Sequence, residues 1–317
     1  MSTPGRLSVV IPTHNTRDLT LRCVETLEAE GTAAEIVVVD DGGSDGTAEA
    51  LAAAHPAAEV LRVPQAGGFT RAANLGLARA RGEILLLLNS DTEVVPGAFS
   101  ALLAAFDRDP KLGIAGAALH YPDGSPQWSG GRAPSLLWLF GLTSGLPRLL
   151  ARLPRWRRIK PAGAAPGSVD WVTGATLAMR RSVWEQVGPL DEGFRFYAQD
   201  LDVCLRAAAA GWKVELLPEV RVMHHHGATI SRAPDSWGKQ NAELLWADLL
   251  RWARRSRGGS WAGRAALAMR FGAALRLVGR GAVGWLVSPA RRPVWRAESE
   301  ALRRAARGIR RGRVSSE

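Results

Sequence analysis

Four short polar clusters in this 317-residue chain follow apolar runs and carry residue types that can do chemistry: Pro12-Thr13-His14-Asn15, Asp40-Asp41-Gly42, Gln65-Ala66-Gly67-Gly68 and Asn89-Ser90-Asp91. The second ends an apolar run with two adjacent carboxylates and then turns on glycines. Adjacent acids at such a place can accept hydrogen bonds from a base edge and from ribose hydroxyls. An Asx turn feeding the next helix needs only one cap, Ser44 or Asp45, and leaves Asp40 and Asp41 to be explained. The third cluster is a glycine-rich lead-in to a helix. Backbone N–H groups there favour an anion, which makes Gly68, Arg71 and Asn74 candidates beside a pyrophosphate, although such a lead-in is as often purely structural. The fourth closes the longest aliphatic run. Strand alternation puts Asn89 and Asp91 on one side, with Ser90 between them. Oxygen ligands of this kind suit magnesium or manganese, which take one or two carboxylates plus phosphate oxygens.

Positioning four clusters in this way requires a particular layer of elements. The runs 7–11, 35–39, 59–63, 84–88 and 112–118 read as strands, and 17–30, 45–54, 69–80 and 96–106 as helices. That alternation predicts a doubly wound α/β layer, with a mostly parallel sheet and helices on both faces. Ligands of such sheets sit outside the carboxyl ends of the strands, where all four clusters fall. Residues 121–169 are rich in Pro, Gly, Trp and Arg and show no regular period, so they read as a long excursion. Strand, short helix, Gly-Pro turn, helix and strand follow over 170–217. Beyond Ser236 the chain reads as helical, with breaks at Gly258-Gly259 and Ser288-Pro289.

Composition narrows the class. Hydrophobic residues make up 46% of the chain, ordinary for a protein with a core. Cys23 and Cys204 are the only cysteines, so packing roles in a reducing compartment are expected. Neither an export signal nor a membrane span is predicted. The net charge of +11 is concentrated at one end: residues 251–317 hold 17 arginines against three glutamates, with no lysine or aspartate. The basic character therefore belongs to a tail, and the body is close to neutral.

The ordered series VVIPTHN, VVVDDGGSDGT, AGGFTRAANLG, ILLLLNSDTEV, VTGATLAMRR and QDLDVCLR resembles the inverting family-two glycosyltransferases of GT-A fold, and within them the bacterial rhamnosyltransferase-like branch. The resemblance spans about residues 7 to 230. It implies that Pro12 and Thr13 line the nucleotide pocket and that Asp40 or Asp41 contacts base and ribose. Asp91 corresponds to the last acid of the family's Asp-X-Asp signature and would hold a Mg or Mn ion. The first acid of that signature is Asn89 here. Trp171, Gly174 and Ala175 resemble the segment that closes on donor sugar and acceptor. The family's Glu-Asp pair is Gln199-Asp200 here, and Asp200 is the expected catalytic base. Asp200 and Asp202 also suit a helix N-terminus, and Asp202 with Arg206 is spaced for a helix-face pair. The run His224-His225-His226-Gly227 resembles the family's His-X-X-Gly element, which selects His224 as a second metal ligand.

These expectations assemble into a catalytic domain over 1–235 and a basic helical extension over 236–317. The expected partners are a nucleoside-diphosphate sugar and a glycan or polyprenyl-linked glycan acceptor, at the inner face of the cytoplasmic membrane. Segments 243–257, 263–280 and 294–311 combine Trp, Leu and Arg at amphipathic spacing, suited to an anionic lipid surface or to a helical cap with a solvated Arg face. Nucleic acid is not expected as a partner, because acids at 40, 41, 91 and 200 would repel it.

Overall fold

In a computed structural model, residues 5–147, 167–225 and 241–310 are described. The first four strands are the expected apolar runs: β1 (Leu7–Thr13), β2 (Ala34–Asp41), β3 (Glu59–Val63) and β4 (Ile84–Leu88). Helices α1 (Arg17–Glu30), α2 (Thr47–Ala54) and α3 (Phe69–Arg79) connect them. β1 pairs in parallel with β2 and β4, and β2 with β3. Every residue of β1 and β4 is buried, so neither strand needs the polar alternation of a one-sided sheet.

The remaining strands make a mixed half. β5 (Thr92–Val94), α4 (Ala98–Arg108), β6 (Leu112–His120), β7 (Gly130–Gly131) and α5 (Leu136–Ser144) come first. β8 (Gly167–Ser168), β9 (Trp171–Val172), β10 (Thr176–Arg180), α6 (Arg181–Val187), α7 (Gln199–Ala209) and β11 (Lys213–His224) follow. The sheet order is β3-β2-β1-β4-β10-β6-β11-β5. β10 enters antiparallel between β4 and β6, while β11 runs parallel to β6 and antiparallel to β5.

Alternate strand residues feed two cores. Val9, Ile11, Val38 and Leu86 face α1 and α4 through Val24, Leu27, Phe99 and Phe106. Val10, Val37, Leu85 and Leu87 face α3, α6 and α7 through Ala73, Leu77, Val183 and Val203. Both cysteines lie in these cores, and burial pushes the Cys23 thiol up to about 12 and raises Cys204 as well. They are packing residues, as expected.

The stretch read as irregular, 121–169, holds ordered elements over its described part. α5 escaped the periodicity reading because its sequence, LLWLFGLTS, has no polar face to set a period. Its punctuation is local: Ser135 Oγ accepts from the Trp138 N–H, and Gly145 ends the helix at φ 70°. Short β5 was likewise not anticipated.

Backbone contacts divide the chain into two compact units. The first draws on Met1–Ala133, Ala162–Arg195 and Gln199–Lys239, the second on Pro134–Pro161, Phe196–Ala198 and Gln240–Glu317. The expected boundary at 235/236 lies outside the described residues. The second unit contains α8 (Ala242–Arg257), α9 (Gly259–Val283) and α10 (Arg292–Arg310), broken at Gly258 and around Pro289. α5 packs along α9 with no room to spare, since a Cβ on Gly272 would meet the Phe140 carbonyl and the Thr143 hydroxyl. Among the described residues, no helix is long and apolar enough to cross a membrane.

Candidate active site

The carboxyl end of β4 carries Asn89, Ser90 and Asp91, and β5 follows at once. Pairing of β5 with β11 puts His224 opposite Thr92. That register brings His224 Nε2 to 3.2 Å from Asp91 Oδ1, with both residues buried. His225 turns to Glu93 instead, with Nε2 2.8 Å from Oε1, while its N–H donates to the Asp91 carbonyl. His226 lies outside the described residues. Asn89 Oδ1 is buried with no hydrogen-bond partner, an orphaned acceptor on the same strand end. A carboxylate, an imidazole and a spare amide oxygen fit a hard divalent cation that takes few protein ligands. No cluster of three or more His, Cys, Asp or Glu forms among the described residues, so phosphate oxygens would have to complete the coordination.

Asp200 opens α7. Its Oδ2 accepts from the Gly174 N–H at 3.0 Å and its Oδ1 from the Leu201 N–H at 2.8 Å. It lies deep among protein atoms yet keeps partial contact with solvent. Desolvation raises its carboxyl pKa above the ordinary value, against the opposing pull of these N–H groups. One residue after Gly174, the Ala175 carbonyl accepts from the Asn89 N–H at 3.0 Å. The turn between β9 and β10 thus ties Asp200 on one side to the Asn89–Asp91 segment on the other. Ala198, just before α7, has φ 66°, a left-handed conformation unusual for a residue with a Cβ. Gln199 is buried and its Oε1 has no partner. Trp171 packs edge-on against Trp128, ring centres 4.9 Å apart, and its indole N–H donates to the Arg132 carbonyl. The expected Asp202–Arg206 pair forms at 2.8 Å.

At the other strand ends, the β1–β2 register sets Thr13 beside Asp40 and Pro12 beside Val39, and Pro12 is buried. Thr13, Thr16, Thr20 and Ser90 form a buried hydroxyl chain: Thr13 Oγ1 lies 2.7 Å from Thr16 and 2.8 Å from Thr20, and Thr16 lies 3.1 Å from Ser90. Asp40 Oδ1 accepts from the Gly43 N–H, and burial raises its pKa. Asp41 does something different. Its carboxylate accepts from the N–H groups of Gly67 and Gly68, at 2.8 Å each for the shorter contacts. Those amides, expected to face a pyrophosphate, are engaged within the fold. Arg71 remains available to an anion: its exposed side chain lies over Gly67 and makes no ion pair among the described residues.

Asn74, expected at the donor, is engaged within the fold instead. Its two amide hydrogens go to the Leu190 carbonyl and Glu192 Oε1, and its Oδ1 accepts from the Leu190 N–H. It fastens α3 to the turn before α7, and the donor contact expected of it has no free N–H left. Conversely, Gln127 reaches the site without having been singled out. It hydrogen-bonds His224 through both ends of its amide, and a lone glutamine in a Pro- and Gly-rich stretch carries no pattern that would have found it.

Residues 8–188 match the family model described as Glycosyl transferase family 2. The chain belongs to that family. This glycosyltransferase is 31% identical over 218 residues to an N-acetylglucosaminyl-diphospho-decaprenol L-rhamnosyltransferase of Mycobacterium tuberculosis, covering 63% of this chain and 69% of the relative. It is 27% identical to the O-antigen biosynthesis protein RfbC of Myxococcus xanthus, over 78% of this chain but only 19% of that protein. The mycobacterial relative places it with the rhamnosyltransferase-like branch. Among solved structures it resembles the mannosyltransferase PcManGT of Pyrobaculum calidifontis, determined with GDP-Man and Mn2+, at TM-score 0.61 and 16% identity, covering 100% of this chain and 89% of that one. At that identity the likeness speaks to the fold, which is GT-A.

Proposed function

We propose that this family-two enzyme is an inverting, cation-dependent transferase. In this reading it moves a sugar from a nucleoside-diphosphate donor, dTDP-rhamnose first and a UDP-hexose second, to a polyprenyl-linked glycan in cell-envelope polysaccharide synthesis. The observation that carries the reading is the tie of Asp200, through Gly174 and Ala175, to the Asn89–Asp91 segment. A base must work within reach of the donor's reacting carbon, and this turn holds the two groups in one constellation.

In the reaction, Asp200 takes the acceptor hydroxyl's proton as the acceptor oxygen bonds to the anomeric carbon. The carbon–oxygen bond to the diphosphate breaks on the opposite face, and its electron pair leaves with the nucleoside diphosphate. The raised pKa of Asp200 makes it a stronger base than an exposed aspartate. A Mg or Mn ion held by Asp91 and His224 would neutralise charge on the departing diphosphate. Arg71 adds a positive charge near the glycine loop, and Asp40 offers a carboxylate to the nucleoside. Gln199 Oε1, buried and unpartnered, is suited to accept from a sugar or acceptor hydroxyl. The named activity of the mycobacterial relative supports both the rhamnosyl donor and the lipid-linked acceptor.

The second unit supports action at an anionic membrane face. Leu267, Phe271, Leu275 and Val278 recur at helical spacing on α9 and are all exposed, with Leu137 of the adjoining α5 also exposed. Exposed Arg264 and Arg270 flank the row. α10 differs, for it buries Leu302, Ala305 and Ile309 and presents Arg303, Arg304 and Arg307 to solvent. An apolar row with arginine flanks suits an anionic bilayer surface. Replacing Leu267 and Phe271 together by Asp is expected to abolish co-sedimentation with phosphatidylglycerol vesicles while leaving donor hydrolysis in solution unchanged. Retained sedimentation would remove α9 as the contact.

The test of the chemistry is a donor screen. Purified protein with Mn2+ or Mg2+ and a panel of nucleotide sugars is expected to be thermally stabilised by one donor, and chelator should reverse the effect. No stabilisation by any donor would overturn the proposed donor class.

A further inference from the structure

Gln127 is buried, and both ends of its side-chain amide are engaged. One end faces two backbone carbonyls, that of His224 at 2.5 Å and that of His120 at 3.3 Å. A carbonyl oxygen only accepts, so this end must be the NH2 group. The other end is then the amide oxygen Oε1, and it lies 3.0 Å from His224 Nδ1. An amide oxygen also only accepts. Nδ1 must therefore carry a hydrogen, and Nε2 is the ring nitrogen directed at Asp91, 3.2 Å from Oδ1.

The amide is itself fixed in place. The Gln127 N–H donates to the Leu119 carbonyl at 2.8 Å, and the Gln127 carbonyl accepts from Ser129 Oγ at 3.1 Å. Ser129 Oγ in turn accepts from the Leu119 N–H at 2.9 Å. The segment is stapled to the end of β6, and one side chain clamps both the ring and the backbone of His224.

We propose that Gln127 is a positioning residue for the cation site: it holds His224 with the hydrogen on Nδ1, so that Nε2 is the nitrogen offered beside Asp91. The proposal rests on the reading of Asp91 and His224 as cation ligands given above. Neutral histidine in water prefers its hydrogen on Nε2, the nitrogen needed for coordination. An acceptor fixed at Nδ1 keeps a hydrogen there even while Asp91 Oδ1 competes for one at Nε2, so Nε2 is the nitrogen freed when a cation binds, as outer partners of ligating imidazoles arrange generally.

Two measurements test it on the full-length protein. The first needs no variant at position 127: 15N-histidine NMR of the cation-free wild type, with the His224 signals assigned by their loss in His224→Asn. A protonated Nδ1 is expected, and an unprotonated Nδ1 would overturn the proposal. The second is Mn2+ binding in the presence of dTDP and, separately, of UDP, followed by electron paramagnetic resonance. Gln127→Leu, close in size, is expected to weaken Mn2+ binding about 10–100-fold, and adding it to His224→Ala should cost nothing further. Loss of Mn2+ in His224→Ala with full retention in Gln127→Leu would also overturn the proposal. Mn2+ binding equal in wild type, Asp91→Ala and His224→Ala is a separate outcome, since it overturns the cation-ligand reading itself and the proposal with it.

Discussion

The two halves of the sheet are built on different principles. In the parallel half, β1 to β3 with α3, the polar residues at and near the strand ends are engaged within the fold. Asp41 grips the Gly67–Gly68 amides, Asn74 grips the turn at Leu190, and the threonines of β1 and α1 form their own chain. In the mixed half, β10, β11 and β5 bring together groups far apart in sequence. Where the two halves meet, at the end of β4 and the start of α7, acceptors are left over: Asn89 Oδ1 and Gln199 Oε1 are buried without partners. The difference teaches which polar residues belong to the architecture and which are kept for a ligand. Satisfied groups stabilise, whereas unsatisfied buried groups are a standing cost that binding can offset.

The largest effect that would sharpen this contrast lies in the mixed half. Asp200→Asn is expected to lower kcat by about 10³-fold, within the range of general-base catalysis, with donor affinity retained. A loss of donor binding equal to the loss of kcat would break the assignment. The pH dependence has a definite sign. Burial raises the Asp200 pKa, and only the ionised form can accept a proton. Activity should therefore fall as pH drops through that raised value. A carboxyl whose pKa is raised in the folded state destabilises the fold where it is ionised, above its unfolded pKa. Asp200→Asn removes that penalty but offers one acceptor oxygen where two N–H groups donate, so Tm at neutral pH is expected to change little, as thermal denaturation would show.

In the parallel half the expected effects are on stability. Asp41→Ala strands the amides of Gly67 and Gly68, and a loss of about 3 kcal/mol is expected from denaturant unfolding, since hydrogen bonds to a charged group are the stronger kind. Asn74→Ala should cost a little less, about 2 kcal/mol, with donor KM and kcat unchanged in the folded protein. A rise in donor KM without a change in stability would return Asn74 to the donor site and erase the contrast between the halves.

Much of this organisation was legible in the residues themselves. Continuous apolar runs marked β2 and β4 because strands buried on both faces need no alternation, and the acids at their ends stood out for the same reason. Short elements were not legible: β5 has three residues, too few for a period, and α5 is apolar on all sides. Role was harder to read than location. Asp40 and Asp41 are adjacent, but alternation along β2 sends their carboxylates to different partners, Gly43 for one and Gly67–Gly68 for the other. Only the fold separates a nucleoside candidate from a loop clamp.

Local periodicity and composition fix the α/β layer, the position of each polar cluster at a strand end and the basic helical tail. Family resemblance paired His224 with Asp91, and tertiary structure decided the register that brings them to 3.2 Å and the hold of Gln127 on the ring. It also decided that Gly174 and Ala175 join Asp200 to the β4 end. Each of these depends on antiparallel pairing or a turn between segments that are remote along the chain. Hydrogen-bond partners at such separations are chosen by register and packing, which no local pattern of residues encodes.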